Sequence, residues 1–129
     1  MQEQPEIKAD RLQMMWNQQL EFMKLLQKER GFPEFPTDIT SKQGQKFLKE
    51  ISHYMMDELF EAAQHLKNSK SHRATQVTEL DKDAYKEELA DALHYFVELV
   101  IASGITLDEL YQSYMQKGEI NVSRIKNGY

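Results

Sequence analysis

The chain has 129 residues, a formal net charge of −5 and 40% hydrophobic content, which fits one domain and excludes a general nucleic-acid binder, because displacing counterions from phosphates needs a cationic face. It has no cysteine, so disulfides, thiolate metal sites and cysteine nucleophiles are excluded, and any metal must sit on oxygen or imidazole. Met1 to Asp10 lacks the basic start and apolar run of a signal peptide and no apolar stretch reaches bilayer length, so a cytoplasmic protein without a membrane partner is expected.

Apolar residues recur at helical spacing and strand-like alternation is scarce, so the expected fold is all-α, with four helices in a bundle within a single domain over residues 1–129. The first helix is expected from about Ile7 to Arg30, with Leu12, Met15, Trp16, Leu20, Met23 and Leu26 at three- and four-residue steps, ended by Gly31, Pro33 and Pro36. The second spans roughly Gln43 to Lys67, with Phe47, Leu48, Ile51, Met55, Leu59, Ala62 and Leu66 facing inward. Asn68 to Asp81 reads as a polar, mobile connector. The third helix, from about Lys82 to Ser103, places Leu89, Leu93, Phe96, Val100 and Ile101 on one stripe, with Gly104 as a left-handed stop. Thr106 and Glu109 form a capping box for a fourth helix through Leu110, Tyr111, Tyr114 and Met115, and Gly118 to Tyr129 reads as a polar C-terminal arm. Helices this apolar in so short a chain point to self-assembly, as a homodimer or homotetramer.

Glu58 with Glu61, and Glu88 with Asp91, lie three residues apart and so share a helix face. In a chain this acidic such pairs also arise by chance as solvated faces, and Glu3 with Glu6 is another. Both pairs, however, flank the apolar stripe of their helix, so if the stripes pack together the four acids meet. Facing carboxylates repel one another and lose hydration unless cations intervene. Oxygen-only donors favour hard ions such as Mg²⁺, with Mn²⁺ a possible substitute, and leave coordination positions for phosphate oxygens and water. Lys117, Asn121, Arg124 and Tyr129 in the arm offer the complementary groups, cations for a polyphosphate and amide and ring for sugar or base, although Lys and Arg near a helix end also simply favour its dipole.

Asp57-Glu58-x-x-Glu61, then Glu88-Leu-Ala-Asp91-Ala-Leu-His94, then Tyr114-Met-Gln-Lys117-Gly-Glu-Ile-Asn121-Val-Ser-Arg124-Ile-Lys-Asn-Gly128-Tyr129, resemble the all-α nucleoside triphosphate pyrophosphohydrolases, also called MazG-like. Within them the resemblance is to the dimeric dUTPases and the phage dCTP/dUTP pyrophosphatases. It covers roughly residues 54–129, with a weaker match around Trp16 to Glu21. It implies a homo-oligomer in which Glu58, Glu61, Glu88 and Asp91 coordinate Mg²⁺, and in which a water oriented or deprotonated by Glu58 attacks the α-phosphorus of a nucleoside triphosphate so that pyrophosphate leaves. It also implies that Lys117, Asn121, Arg124 and Tyr129 clamp phosphate and sugar. The physics agrees with this division of labour, since cations bridging phosphates stabilise charge on the leaving group.

Three departures bear on the base. Gly118 follows Lys117 where the family often has Asn, Asn17 stands near where the pyrimidine enzymes carry a Gln, and the connector after Glu61 lacks a tryptophan. The resemblance favours dUTP or dCTP, and the departures keep a purine such as dGTP open. Asn17 offers a donor and an acceptor to a base edge or is a surface amide. Trp16 is a base-pocket wall or a core residue. His94 approaches the nucleoside or is a partly buried structural histidine. His53, His65 and His72 share no spacing, so no histidine metal site follows. From another class, a non-catalytic helical interaction or nucleotide-binding module fits the same composition.

Overall fold

The computed structural model describes residues 10–128, which form α1 (Arg11–Arg30), α2 (Lys42–Gln64), α3 (Lys82–Ala102) and α4 (Leu107–Lys126), with no strand among the described residues. The all-α class agrees with the periodicity of the sequence. The chain divides into two compact units, one built from residues up to Thr37 together with those from Val100 onward, the other from Asp38–Leu99.

In the first unit α1 starts where the Asp10 carboxylate accepts from the Leu12 amide at 2.9 Å, satisfying a donor left over at the helix start. The expected start at Ile7 lies outside the described residues. Gly31, at φ 64°, turns the chain out of α1 in the left-handed conformation that its missing Cβ permits. Met23, Val100, Ile101 and Ala102 are buried, and Gln19 is buried with them. The Thr37 amide donates to the Ala102 carbonyl at 2.7 Å. Gly104, at φ 76°, stops α3 as its sequence suggests, and a Cβ there would meet Pro36 Cβ at 3.2 Å, so that turn requires glycine twice over.

The capping box is present: the Glu109 amide donates to Thr106 Oγ1 at 3.1 Å, and the Thr106 amide donates to Glu109 Oε1 at 3.3 Å. From there α4 continues to Lys126, so residues 118–126 of the expected arm are helical, and all of them are exposed. A single glycine in a helix interior costs only about 1 kcal/mol relative to alanine. Here Tyr111, Met115, Gly118, Val122 and Ile125 keep a four-three-four-three spacing straight through Gly118, and that continuity carries the helix past it.

In the second unit Ser41 caps α2 by accepting from the Gly44 amide at 2.9 Å, and Asp81 opens α3 by accepting from the Ala84 amide at 3.0 Å. α2 ends at Gln64, three residues before the expected Lys67, because the His65 and Leu66 amides bond back to the Ala62 and Ala63 carbonyls in a tightened last turn. The connector is pinned: Asn68 Nδ2 donates to the Val77 carbonyl and Asn68 Oδ1 accepts from the Val77 amide, both at 2.8 Å. One amide side chain thus imitates a strand partner across the loop.

Ile51, Ala62, Ala92 and Val97 are buried, whereas Leu59, Leu66, Leu89, Leu93 and Phe96, expected to face inward, are 38–44% exposed. An apolar stripe on a helix is wider than one line of contact, and periodicity does not reveal which edge of it packs. The small side chains of Ala62 and Ala92 take the buried positions and leave the larger ones at the margin.

Candidate functional site

Two polar stripes run along α2 and α3 beside these buried positions. Tyr54, Glu58, Glu61 and His65 are spaced four, three and four residues apart, and Glu88, Asp91, Tyr95 and Glu98 three, four and three, so each set lies on one helix face. The stripes face each other with the helices antiparallel. Tyr54 meets Tyr95 with ring centroids 5.8 Å apart, and His65 meets Glu88 with Nε2 2.9 Å from Oε2.

The carboxylates expected to act together are brought together. The Glu58 carboxyl has its proton affinity raised above the usual glutamate value, first by loss of water around it, then by the charges of Glu61 and Asp91, by a carboxyl–carboxyl hydrogen bond with Glu61, and by the charge of Glu88. Glu58 and Glu88 are half-buried, and Glu61 and Asp91 are exposed. Like charges crowded at one place hold a proton or a cation, and oxygen donors of this kind suit a hard divalent ion better than zinc. Among the described residues no three of the acids or histidines are drawn in closely enough to grip an ion as they stand.

Glu88 is held differently from the other three. Its Oε2 is shielded from solvent and has no donor unless His65 carries its proton on Nε2, the nitrogen facing it. That tautomer follows from the need to satisfy a buried acceptor. The other edge of His65 borders Tyr85, with ring centroids 6.5 Å apart. The seam also contains two groups that reading the acids as pairs overlooks. The half-buried Tyr95 hydroxyl is pushed towards staying protonated, first by desolvation and then by the charges of Glu58, Glu98 and Asp91. Glu98, 8% exposed, is pushed in the same direction by burial alone. The signal for Tyr95 and Glu98 was present, since they extend the Glu88 and Asp91 spacing by two further turns. His65 extends the Glu58 and Glu61 spacing in the same way.

The remaining candidates occupy other places. His94, on α3, is exposed. Trp16 on α1 is half-buried, and the neighbouring Asn17 is exposed, its Oδ1 accepting from Gln13 Nε2 at 2.9 Å. Lys117, Asn121 and Arg124 are exposed on α4, and Tyr129 lies outside the described residues. Among the described residues no single helix is long and apolar enough to cross a membrane.

No curated protein and no solved structure matches the chain. The family model described as dUTPase matches residues 38–129, a span that contains both polar stripes and all of α4. With well over half of its length matched in this way, the chain belongs to the dUTPase family, of the all-helical, MazG-like kind.

Proposed function

We propose that the chain is a Mg²⁺-dependent nucleoside triphosphate pyrophosphohydrolase that converts its substrate to the monophosphate and pyrophosphate, with dUTP or dCTP preferred and self-assembly as a homodimer or homotetramer. The observation that carries this reading is the convergence on Glu58 of three other carboxylates from two helices. A folded chain gains nothing from such crowding unless a cation relieves it.

In this reading Glu58, Glu61, Glu88 and Asp91 hold Mg²⁺, or Mn²⁺ in its place. When bound, the ion supplies positive charge against the triphosphate oxygens and makes water more acidic. Glu58 orients the attacking water and takes its proton. His65 fixes the carboxylate of Glu88 through the 2.9 Å contact, so this ligand enters the site already oriented. Lys117, Asn121, Arg124 and Tyr129 bind phosphate and sugar, and Trp16, Asn17 and His94 bind the nucleoside.

The test is turnover of dUTP, dCTP, dGTP and the other common nucleoside triphosphates with Mg²⁺, with pyrophosphate and orthophosphate assayed separately. Pyrophosphate release from a pyrimidine deoxynucleotide is expected. Preference for dGTP would keep the chemistry and move the base, whereas orthophosphate as the sole product would overturn the mechanism. Glu58→Gln and Asp91→Asn are expected to abolish turnover with helicity retained. Full activity in both would take these acids out of the catalysis, and no turnover of any triphosphate by the parent chain would return it to a non-catalytic helical module.

A further inference from the structure

The end of α2 and the connector that follows it surround a cavity of about 250 Å³. Its walls come from both sides of the connector, residues 65–69 on one side and Val77, Glu79 and Leu80 on the other. The two hydrogen bonds of 2.8 Å between Asn68 and the Val77 backbone tie those sides together, so the hollow is formed before any guest arrives. A guest therefore meets little of the ordering cost that binding to a loose loop carries. Leu66, Val77 and Leu80 line the space and remain 44–50% exposed, so apolar surface is gathered here around an opening that is not closed over.

Polar groups accompany that apolar wall. Lys67, Ser69 and Glu79 also line the cavity, and among the described residues the side chains of these three make no hydrogen bond or ion pair. A bare phosphate suits neither the aliphatic walls nor the Glu79 carboxylate. An alkyl chain suits the walls, but it strips water from Lys67 and Glu79 and returns nothing. A flat heterocycle meets both demands, laying its faces on the aliphatic side chains and turning edge donors and acceptors to the polar ones. The volume falls just below the roughly 300 Å³ at which sites for drug-sized ligands begin, so it admits a ring and leaves an attached sugar phosphate outside. We infer that this cavity binds the ring of a nucleobase.

His65 joins this cavity to the acidic seam, since it borders the hollow and its Nε2 stands 2.9 Å from Glu88 Oε2. The ring then has two sources with the same chemistry. It belongs to a triphosphate whose phosphates lie at the acids, or to a separate nucleoside whose presence bears on Glu88 through His65. The ring site itself needs neither metal nor turnover, so it stands or falls apart from the catalytic reading. The clasp engages only the backbone of Val77, which leaves that side chain free to be changed without untying the connector.

The test is uridine titrated into the full chain in the presence of a chelator and followed by amide resonances. The Leu66, Val77 and Leu80 signals are expected to move together, and those of α1 and α4 to stay. Val77→Trp fills the hollow from one wall and Ser69→Trp from the other. Each is expected to weaken uridine by about tenfold or more with helical circular dichroism retained. Thr75→Trp, on the same connector but outside the lining, should bind as the parent does. The inference is overturned if the cavity signals of the parent stay still up to the solubility limit of uridine. It is equally overturned if a folded Val77→Trp or Ser69→Trp chain keeps the parent affinity, or if Thr75→Trp loses it to the same extent. A second titration, with Mg²⁺ and the α,β-imido analogue of dUTP, separates the sources: displacement of uridine assigns the cavity to the triphosphate's own base, and binding of the analogue beside uridine assigns it to a separate nucleoside.

Discussion

Replacing Glu58 by glutamine removes one negative charge from a place where Glu61, Asp91 and Glu88 all act on it. Two unit charges about 6 Å apart at a water-rich surface repel by roughly 0.7 kcal/mol, and three such neighbours, spread over longer and shorter separations and screened by salt, amount to about 1–2 kcal/mol. In a chain of this length that corresponds to a rise in melting temperature of roughly 3–8 °C for the metal-free protein. The measurement is thermal unfolding with a chelator at a pH where the carboxylates are ionised, at low and at high salt, followed by a Mg²⁺ titration. Glu58→Gln should melt higher than the parent in chelator, by a margin that shrinks in salt. On adding Mg²⁺ the order should reverse. The parent gains about 2.7 kcal/mol once the free ion exceeds its dissociation constant a hundredfold, and the variant gains much less. A variant that melts at or below the parent in chelator, or that responds to Mg²⁺ as the parent does, would refute the claim that these carboxylates crowd a cation position.

Other perturbations separate the layers of the structure. Because the Glu58 and Glu98 protons bind more tightly in the folded chain than in the unfolded one, metal-free stability should fall as pH rises from the ordinary glutamate value through the raised folded values. Denaturant titrations at stepped pH should show that slope, and a Glu98→Gln variant should flatten part of it. Tyr95 follows the same sign at alkaline pH, so ultraviolet titration of its phenol should place it above an exposed tyrosine, and Tyr95→Phe should remove that step. Ile51→Ala, at a position 2% exposed, should cost about 2–4 kcal/mol in chemical denaturation. Thr106→Ala breaks the reciprocal cap of α4 and should cost about 0.5–2 kcal/mol, read by circular dichroism on heating.

The sequence made the helices legible because their ends are written in side chains. Thr106 and Glu109, Ser41, Gly31 and Gly104 each bind or free a specific backbone group, and each acts where it stands in the chain. The helicity of the C-terminal arm was harder to read for the opposite reason. Gly118 and a run of polar residues look like a terminus, while the helix there is carried by a spacing that continues across the glycine. Which large side chains of α2 and α3 end up covered was not legible, because Leu59 and Ala62 share one stripe and only packing decides which of them is buried. At the candidate site, Glu58, Glu61, Glu88 and Asp91 could be singled out by residue type and spacing. Tyr95, Glu98 and His65 sit on the same lines but are not acids three apart, and their part depends on which helix faces which, something a single helical period does not encode.

The clasp between Asn68 and Val77 closes the segment between them into a small hoop beyond the end of α2 and the start of α3. A reporter peptide or a fluorescent label introduced near Lys70 to Thr75 therefore hangs from a stem that is already tied. The chain thus carries a natural graft point, and binding at the acidic seam can be followed from there without altering any residue that lines it.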